Sequence, residues 1–392
     1  MWPKVSWETR DWERDPDARL YISKTRRRKI LSTYEAAIPP VIASETVTLS
    51  PAILEQIAEV TSIVTRFDQA QAARGYDLPA LMLRSESSSS SQIERLTSSV
   101  RNVALAEVSS KAPANAKLIA RNVAAMREAI EQEGPITQES ICHIHDVLMD
   151  GTGERDGIRD EQVWIGGTSY SPHGAQFVPP HPSRVRECLD DLVRFGMRED
   201  VTAIAKAAVF HAQFETIHPF TDGNGRTGRA LLHRMLAHDD VLMHTTLPIS
   251  AGLLHDVDTY MEALASYHEG EVEPIVKTLV NALELSVFIG GKIARRVDEI
   301  VEEWQSLNTD RAGSASYRLP SLLIEHPVVD VSLVASDLGT TDRAARSIVE
   351  RACERGILTR MGNARRGVLY QASDIIDVLE EVSNLPDVRR MS

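Results

Sequence analysis

The chain has 392 residues, 43% hydrophobic and 25% charged. These values sit near the globular average, exclude a disordered chain, and at this length imply two or three domains. The formal net charge of -13 argues against a general nucleic-acid coat, though not against a local basic surface. Three widely spaced cysteines, Cys142, Cys188 and Cys353, offer no CxxC pair or disulfide framework, so a reducing compartment is expected. Met1 to Arg28 is highly charged and lacks a signal-type apolar core. No run of about twenty apolar residues is visible, so the expectation is a soluble, cytoplasmic protein with no membrane contact.

Residues 1-45 read as an extended lead-in with a basic run from Lys24 to Lys29. Ser50-Pro51 is a helix start, followed by Ile53, Ile57, Val60 and Ile63 at helical spacing. A second helix is predicted from Leu78 to Glu94. It runs through Ser87 to Ser91, which read as small residues for close helix approach rather than as a linker. Further helices fit 115-132, 137-150, 182-196 and 201-216. Gly166, Gly167, Pro172 and Gly174 punctuate a β-capable surface hairpin between Val163 and Pro180. Helices resume at 227-238, 256-268 and 272-301, the last with Gly290-Gly291 as a bend point. A boundary is placed at 309-316.

The chemistry concentrates in His218-Pro219-Phe220-Thr221-Asp222-Gly223-Asn224-Gly225-Arg226-Thr227-Gly228-Arg229. Glycines at 223 and 225 let backbone approach a ligand, and Asn224 tolerates a left-handed conformation between them. A turn of this kind opening a helix aims several N–H groups at one point, where the helix dipole is positive. Arg226 and Arg229 share a helix face and can fork onto phosphate oxygens. Asp222 supplies a hard ligand for Mg²⁺, and His218 a base titrating near neutrality. Each residue alone has a plain structural explanation; their conjunction within twelve residues favours a phosphate site.

These residues resemble the signature of the Fic domain (filamentation induced by cAMP). The resemblance continues upstream through Phe210 to Ile217. It includes Val163-Trp164-Ile165-Gly166 and Ala175 to Pro180, which look like the family's flap, and spans about residues 30 to 300. It implies an all-α domain with a small β-hairpin flap. The implied activity is transfer of AMP from ATP, with Mg²⁺, to a Ser, Thr or Tyr hydroxyl of a protein. By resemblance, His218 is the base and Asp222 the metal ligand. Gly223, Asn224 and Gly225 hold the α/β-phosphates, the Asn224 side chain included. Arg226 and Arg229 contact phosphates, and the 163-178 flap aligns the target protein by main-chain pairing. Tyr260 resembles the residue that holds adenine, with Asp256 where asparagine is common; a core aromatic is the alternative. His211 reads as a core histidine.

Ser90-Ser91-Gln92-Ile93-Glu94-Arg95 resembles the family's inhibitory-helix motif, with Glu86 in register upstream. Ser90 and Glu94 share a helical face. The resemblance implies that Glu94 pairs with Arg229 and obstructs ATP. Arg95 departs from the usual Gly or Asn, and a cation there would compete for Glu94 or stiffen the helix.

Residues 317-381 read as a winged helix-turn-helix: helices at 331-338 and 341-355, and a hairpin with a wing at Asn363-Ala364-Arg365-Arg366. Arg343, Arg346 and the wing would face DNA phosphates. Eleven Arg against eleven Asp or Glu from Arg311 to Ser392 suit a protein-docking module as well. The resulting division is 1-110 with the inhibitory helix near 80-96, a catalytic core at 111-300, and a winged module at 311-385. A homodimer is compatible with it. The alternatives are removal of AMP, transfer of another phosphate-containing group at the same site, or a nucleotide-responsive DNA-binding regulator. Phosphoryl transfer is disfavoured, since family members that do it tend to carry lysine in place of Gly225.

Overall fold

The structure, a computed structural model, describes residues 2-13, 22-24, 28-72, 74, 76-153, 157-311, 313-362 and 367-383. Part of the basic run after Lys24, and the wing at 363-366, lie outside them. Fifteen described α-helices follow in chain order: α1 (Pro51–Ala72), α2 (Leu78–Ile93), α3 (Val100–Val108), α4 (Ala114–Glu131), α5 (Gln138–Met149), α6 (Pro182–Gly196), α7 (Ala203–Ile217), α8 (Asn224–His238), α9 (Ile249–His255), α10 (Val257–His268), α11 (Glu273–Ser306), α12 (Leu319–Glu325), α13 (Val331–Asp337), α14 (Asp342–Glu354) and α15 (Ser373–Ser383). Two small antiparallel sheets accompany them, β1 (Ser6–Asp11) with β2 (Thr33–Ile38), and β3 (Val328–Asp330), β5 (Leu369–Gln371) and β4 (Thr359–Met361) in that spatial order.

The N-terminal segment corrects the reading of an extended lead-in. β1 and β2 pair from Ser6 opposite Ile38 to Asp11 opposite Thr33. β2 then leans on the flap, where the Ala37 amide donates to the Val178 carbonyl at 2.9 Å. The burial pattern of β2 puts Tyr34 and Ala36 against Val178.

At the centre lies α7, whose side chains are almost all buried, as its run of Ile204 to Phe214 demands. α8, α6 and α11 pack around it. Ser50 accepts from the Ile53 amide and donates to Glu273, which ties the start of α1 to the start of α11. The 34-residue α11 runs past Gly290 and Gly291 without a break, so the expected end near 301 falls short. A Cβ on Gly290 would sit 3.0 Å from Phe67, so the glycine serves close packing. By length and composition α11 is apolar enough to cross a membrane, but half of its most apolar stretch is buried in protein.

The serine run is helical and buried throughout, from Ser87 to Ser91. Small side chains let α2 lie against α4, α9 and α8. Glu86, fully buried on α2, accepts from the Ser250 amide at 2.7 Å and hydroxyl, and lies 3.1 Å from His233 of α8. Asn122 of α4 donates to the Ser87 carbonyl at 3.0 Å. The other end of α2, through Leu78, Leu81 and Met82, shares one apolar cluster with α11 and the C-terminal module. That module contains two helices joined by a short turn, α13 and α14, and a three-stranded sheet. Arg351 of α14 and Arg355, which follows its last turn, are held by Asp310, whereas Arg343 and Arg346 are exposed.

Gly252 marks the tightest helix contact. A Cβ there would lie 2.4 Å from the Ala282 carbonyl oxygen of α11. Gly252→Ala is expected to destabilise the protein by about 1–3 kcal/mol, read as a shift in urea midpoint. An unchanged midpoint would show that α9 can slide away from α11.

Candidate active site

α7 ends at Ile217, and His218 caps it in a left-handed conformation with φ 49. This is a strained setting for a residue with a Cβ, and it turns the imidazole out of the helix line. The chain then loops to Gly223, at φ 77, and α8 begins at Asn224. No side chain caps α8. Its first N–H groups have no intrahelical acceptor, an arrangement that suits an anion.

Asn224 corrects one expectation. Its Oδ1 accepts from the Phe220 amide and its Nδ2 donates to the Phe220 carbonyl, both at 2.9 Å. The side chain thereby closes the loop, with one amide N–H left beyond these two bonds. Nor is it left-handed; Gly223 takes that conformation. Arg226 is buried, with Nη2 3.4 Å from Asp222 and Nε without a partner. Asp222 itself is mostly exposed.

Arg229 is enclosed, its side chain 2% exposed. Nε donates to Ser90 Oγ and Nη2 to the Ser90 carbonyl, both at 2.8 Å, and Nη2 also donates to Glu94 Oε1 at 3.0 Å. Burial opposes its charge, but the paired Glu94 carboxylate outweighs that and holds the guanidinium protonated. The Glu94 carboxylate also lies over Gly225, where a Cβ would meet Oε1 at 2.0 Å. An internal carboxylate thus rests at the mouth of the anion site.

Glu94 is placed there by the end of α2. The Leu96 amide donates to the Ser91 carbonyl and the Arg95 amide to the Gln92 carbonyl, both at 2.9 Å, with Arg95 at φ 60. This is a Schellman cap with arginine at the position that favours glycine. Arg95 is exposed and Glu94 turns to Arg229, so the expected competition between Arg95 and Arg229 for Glu94 is absent from this arrangement.

Tyr260 follows the core-aromatic alternative rather than the adenine role that the resemblance implied. It is 1% exposed, and its hydroxyl bonds His211 Nε2 at 2.7 Å. It is a core residue of α10 and presents no face to a base. Asp256 caps α10 by accepting from Thr259. Beside His211 lies Glu215, 4.0 Å away, whose pKa burial raises to about 7. Burial lowers His211 to about 3, and Arg229 adds to this. His218 falls to about 4, through burial first and the Arg159 charge second, with Glu94 and Asp222 pulling the other way.

Sequence reasoning missed two supports of the loop. His145 of α5 stacks on Phe220 at 3.7 Å, with Nε2 3.0 Å from the Asp222 carbonyl. Arg159, 4% exposed, donates to the carbonyls of His218 at 2.8 Å, Pro180 at 2.6 Å and Glu161 at 3.0 Å. Neither lies in a motif; a lone arginine before a loop gave no periodic signal. The flap itself closes by an Ile165–Phe177 bridge.

Residues 135–236 match the Fic/DOC family. A probable protein adenylyltransferase of Aquifex aeolicus is 30% identical over 153 residues, 38% of this chain and 43% of that protein. The protein adenylyltransferase fic-1 of Caenorhabditis elegans is 30% identical over 199 residues, 48% of this chain and 35% of that protein. The matched region thus spans less than half of each relative. In fold, the chain is similar to a Fic family protein from Desulfovibrio desulfuricans G20. The two share 22% identity over 83% of this chain and 97% of that one, with a TM-score of 0.54.

Two outcomes follow from the geometry. Arg95→Gly relieves a left-handed residue and is expected to stabilise the protein by about 0.5–1 kcal/mol, measured by denaturant melts. Five imidazoles, His145, His181, His211, His218 and His268, have pKa values lowered first by burial. Below about pH 6.5 the unfolded chain binds protons that the folded chain refuses, so stability falls with acidification toward pH 4. Glu215, raised to about 7, acts oppositely, since the folded chain keeps its proton from about pH 4.5 to 7. Five imidazoles against one carboxyl leave a net acid loss. His211→Asn should flatten that slope by up to about 1.4 kcal/mol per pH unit; an unchanged slope would show His211 titrating freely.

Proposed function

We propose, from the premise that residues 135–236 belong to the Fic/DOC family, that the protein transfers AMP from Mg-ATP to a Ser, Thr or Tyr hydroxyl of a target protein, with Glu94 as a brake. The observation that carries this reading is the uncapped start of α8, flanked by two buried arginines, with a carboxylate of the chain's own resting over Gly225.

The target oxygen attacks the α-phosphorus of ATP, a P–O bond forms, the bond to the β-phosphate oxygen breaks, and pyrophosphate leaves. The hydroxyl proton passes to the His218 imidazole. That imidazole is neutral in the resting site, as a base must be, and the negative charge of a bound nucleotide would raise its low pKa toward the working range. The α8 amides, Arg226 with its unpaired Nε, and Arg229 once released from Glu94 hold the phosphate charge.

Asp222 is the residue that would hold Mg²⁺. A single exposed carboxylate suits an ion that takes its other ligands from water and phosphate oxygens. Bound there, the metal supplies neutralisation of phosphate charge. The 163-178 flap would align the target segment along its main chain.

Glu94 opposes this in two ways. It occupies one donor of Arg229, and it places negative charge where phosphate would sit. Glu94→Gly is expected to raise AMP transfer from α-labelled ATP by about tenfold or more, the equivalent of one charge-assisted hydrogen bond. His218→Ala in that background should lower it at least ~10²-fold, and chelation of the metal should abolish it. Equal labelling with and without Glu94 would sink the brake; full labelling without His218 would sink the base.

A further inference from the structure

We propose that Arg159 is a positioning residue that ties the His218 backbone to both ends of the flap, so that the base and the aligned target keep a fixed separation. The inference rests on the adenylyl-transfer reading above and adds to it a residue outside the signature loop.

The contacts run in two directions from one guanidinium. Toward the loop, Nε donates to the His218 carbonyl at 2.8 Å and Nη2 reaches the Ile217 carbonyl at 3.5 Å. The Arg159 amide adds a bond to the Pro219 carbonyl at 3.0 Å. Toward the flap, Nη1 donates to the Glu161 carbonyl at 3.0 Å and Nη2 to the Pro180 carbonyl at 2.6 Å. Glu161 precedes the first flap strand and Pro180 follows the second. Three consecutive backbone units at the base, 217 to 219, are therefore joined to both feet of the hairpin.

The charge state argues that this is more than packing. Arg159 is 4% exposed, and among the described residues no carboxylate pairs with it. Burial lowers its pKa to about 10, yet it remains a cation at neutral pH. A buried unpaired cation is unfavourable unless its hydrogen bonds are all made. Here backbone carbonyls alone receive it, and a planar fork is the only side chain that reaches carbonyls on two sides at once.

The contact also matters for His218 itself. The left-handed turn at 218 is strained, and its carbonyl would otherwise point into a buried space without a donor. Satisfying that carbonyl fixes the peptide plane from which the imidazole projects. The charged groups that face the imidazole are Arg159, Glu94 and Asp222, and only Arg159 is positive. Removing that cation would make the imidazole easier to protonate.

The test compares Arg159→Lys and Arg159→Met in the Glu94→Gly background. Lysine keeps the charge and loses the fork; methionine loses both. Transfer of label from α-labelled Mg-ATP to the proteins of a cell extract gives kcat, and pyrophosphate release gives the KM for ATP. Both variants should lower kcat by about tenfold or more, since small misplacement of reacting groups has that effect, with the KM for ATP within about twofold of the parent. Only methionine should move the acid limb of kcat to higher pH. In the protein carrying Glu94, hydrogen exchange should speed up at the non-proline amides of 161-180 and at 217-218 together in both variants. If kcat for both variants stays within about twofold of the parent, or exchange rises at one segment without the other, the tie is wrong. An inactive parent would instead sink the adenylyl-transfer reading, and the exchange result would still decide the tie.

Discussion

The structure turns on one buried cation. Arg229 lies inside the protein on α8, and its donors must be met there or the charge could not be buried. They are met by Ser90 and Glu94, 139 and 135 residues earlier in the chain. This requirement brings α2 onto the start of α8, and it explains why α2 must be slim. Ser87 to Ser91 are small enough to let the helix backbone approach, and Ser90 serves Arg229 with both its hydroxyl and its carbonyl. The Glu86–Ser250–His233 contact repeats the arrangement two turns earlier, joining α2 to α9 and α8.

What could be read from sequence was whatever lay in a local pattern. The loop from His218 to Arg229 is contiguous, so its glycines, its arginines and the helix after it were all legible. The serine run was legible as helix because apolar residues flank it at helical spacing. What could not be read was long-range. Arg159 meets His218 across 59 positions, and His145 meets Asp222 across 77. Nothing in their own neighbourhoods marks them. The β1–β2 pair was missed for a related reason: 21 residues separate the strands, too many for a turn signal.

The misplacements have a common cause as well. Asn224 and Tyr260 were assigned outward roles by resemblance, and both face inward. Asn224 has two polar ends and a loop that needs a donor and an acceptor at Phe220, so the side chain satisfies the backbone first. Tyr260 has a large ring to bury and a hydroxyl that needs a partner, and His211 on α7 supplies it. His211, Glu215 and Tyr260 form a polar layer beneath the phosphate loop. Burial keeps the His211 imidazole and the Tyr260 hydroxyl neutral and raises the Glu215 carboxyl to about 7, and the Arg229 charge further opposes protonation of His211.

The position of Glu94 on its helix bears on how the site could open. The body of α2 is fixed by Leu81, Met82, Glu86 and the buried serines, and moving it would expose two apolar clusters at once. Glu94 stands at the last residue before the Schellman turn, with its side chain 41% exposed. Releasing it from Arg229 disturbs about one charge-assisted hydrogen bond, roughly 1.5–3 kcal/mol, and leaves the rest of the helix in place. Arg229 keeps two bonds to Ser90 that do not involve Glu94, so they need not break when the carboxylate departs. On the role proposed for Glu94, opening needs no helix displacement, only a swing of one side chain at a cap already strained by Arg95. Whatever acts on the site therefore has its lever in the residues from Gln92 to Leu96.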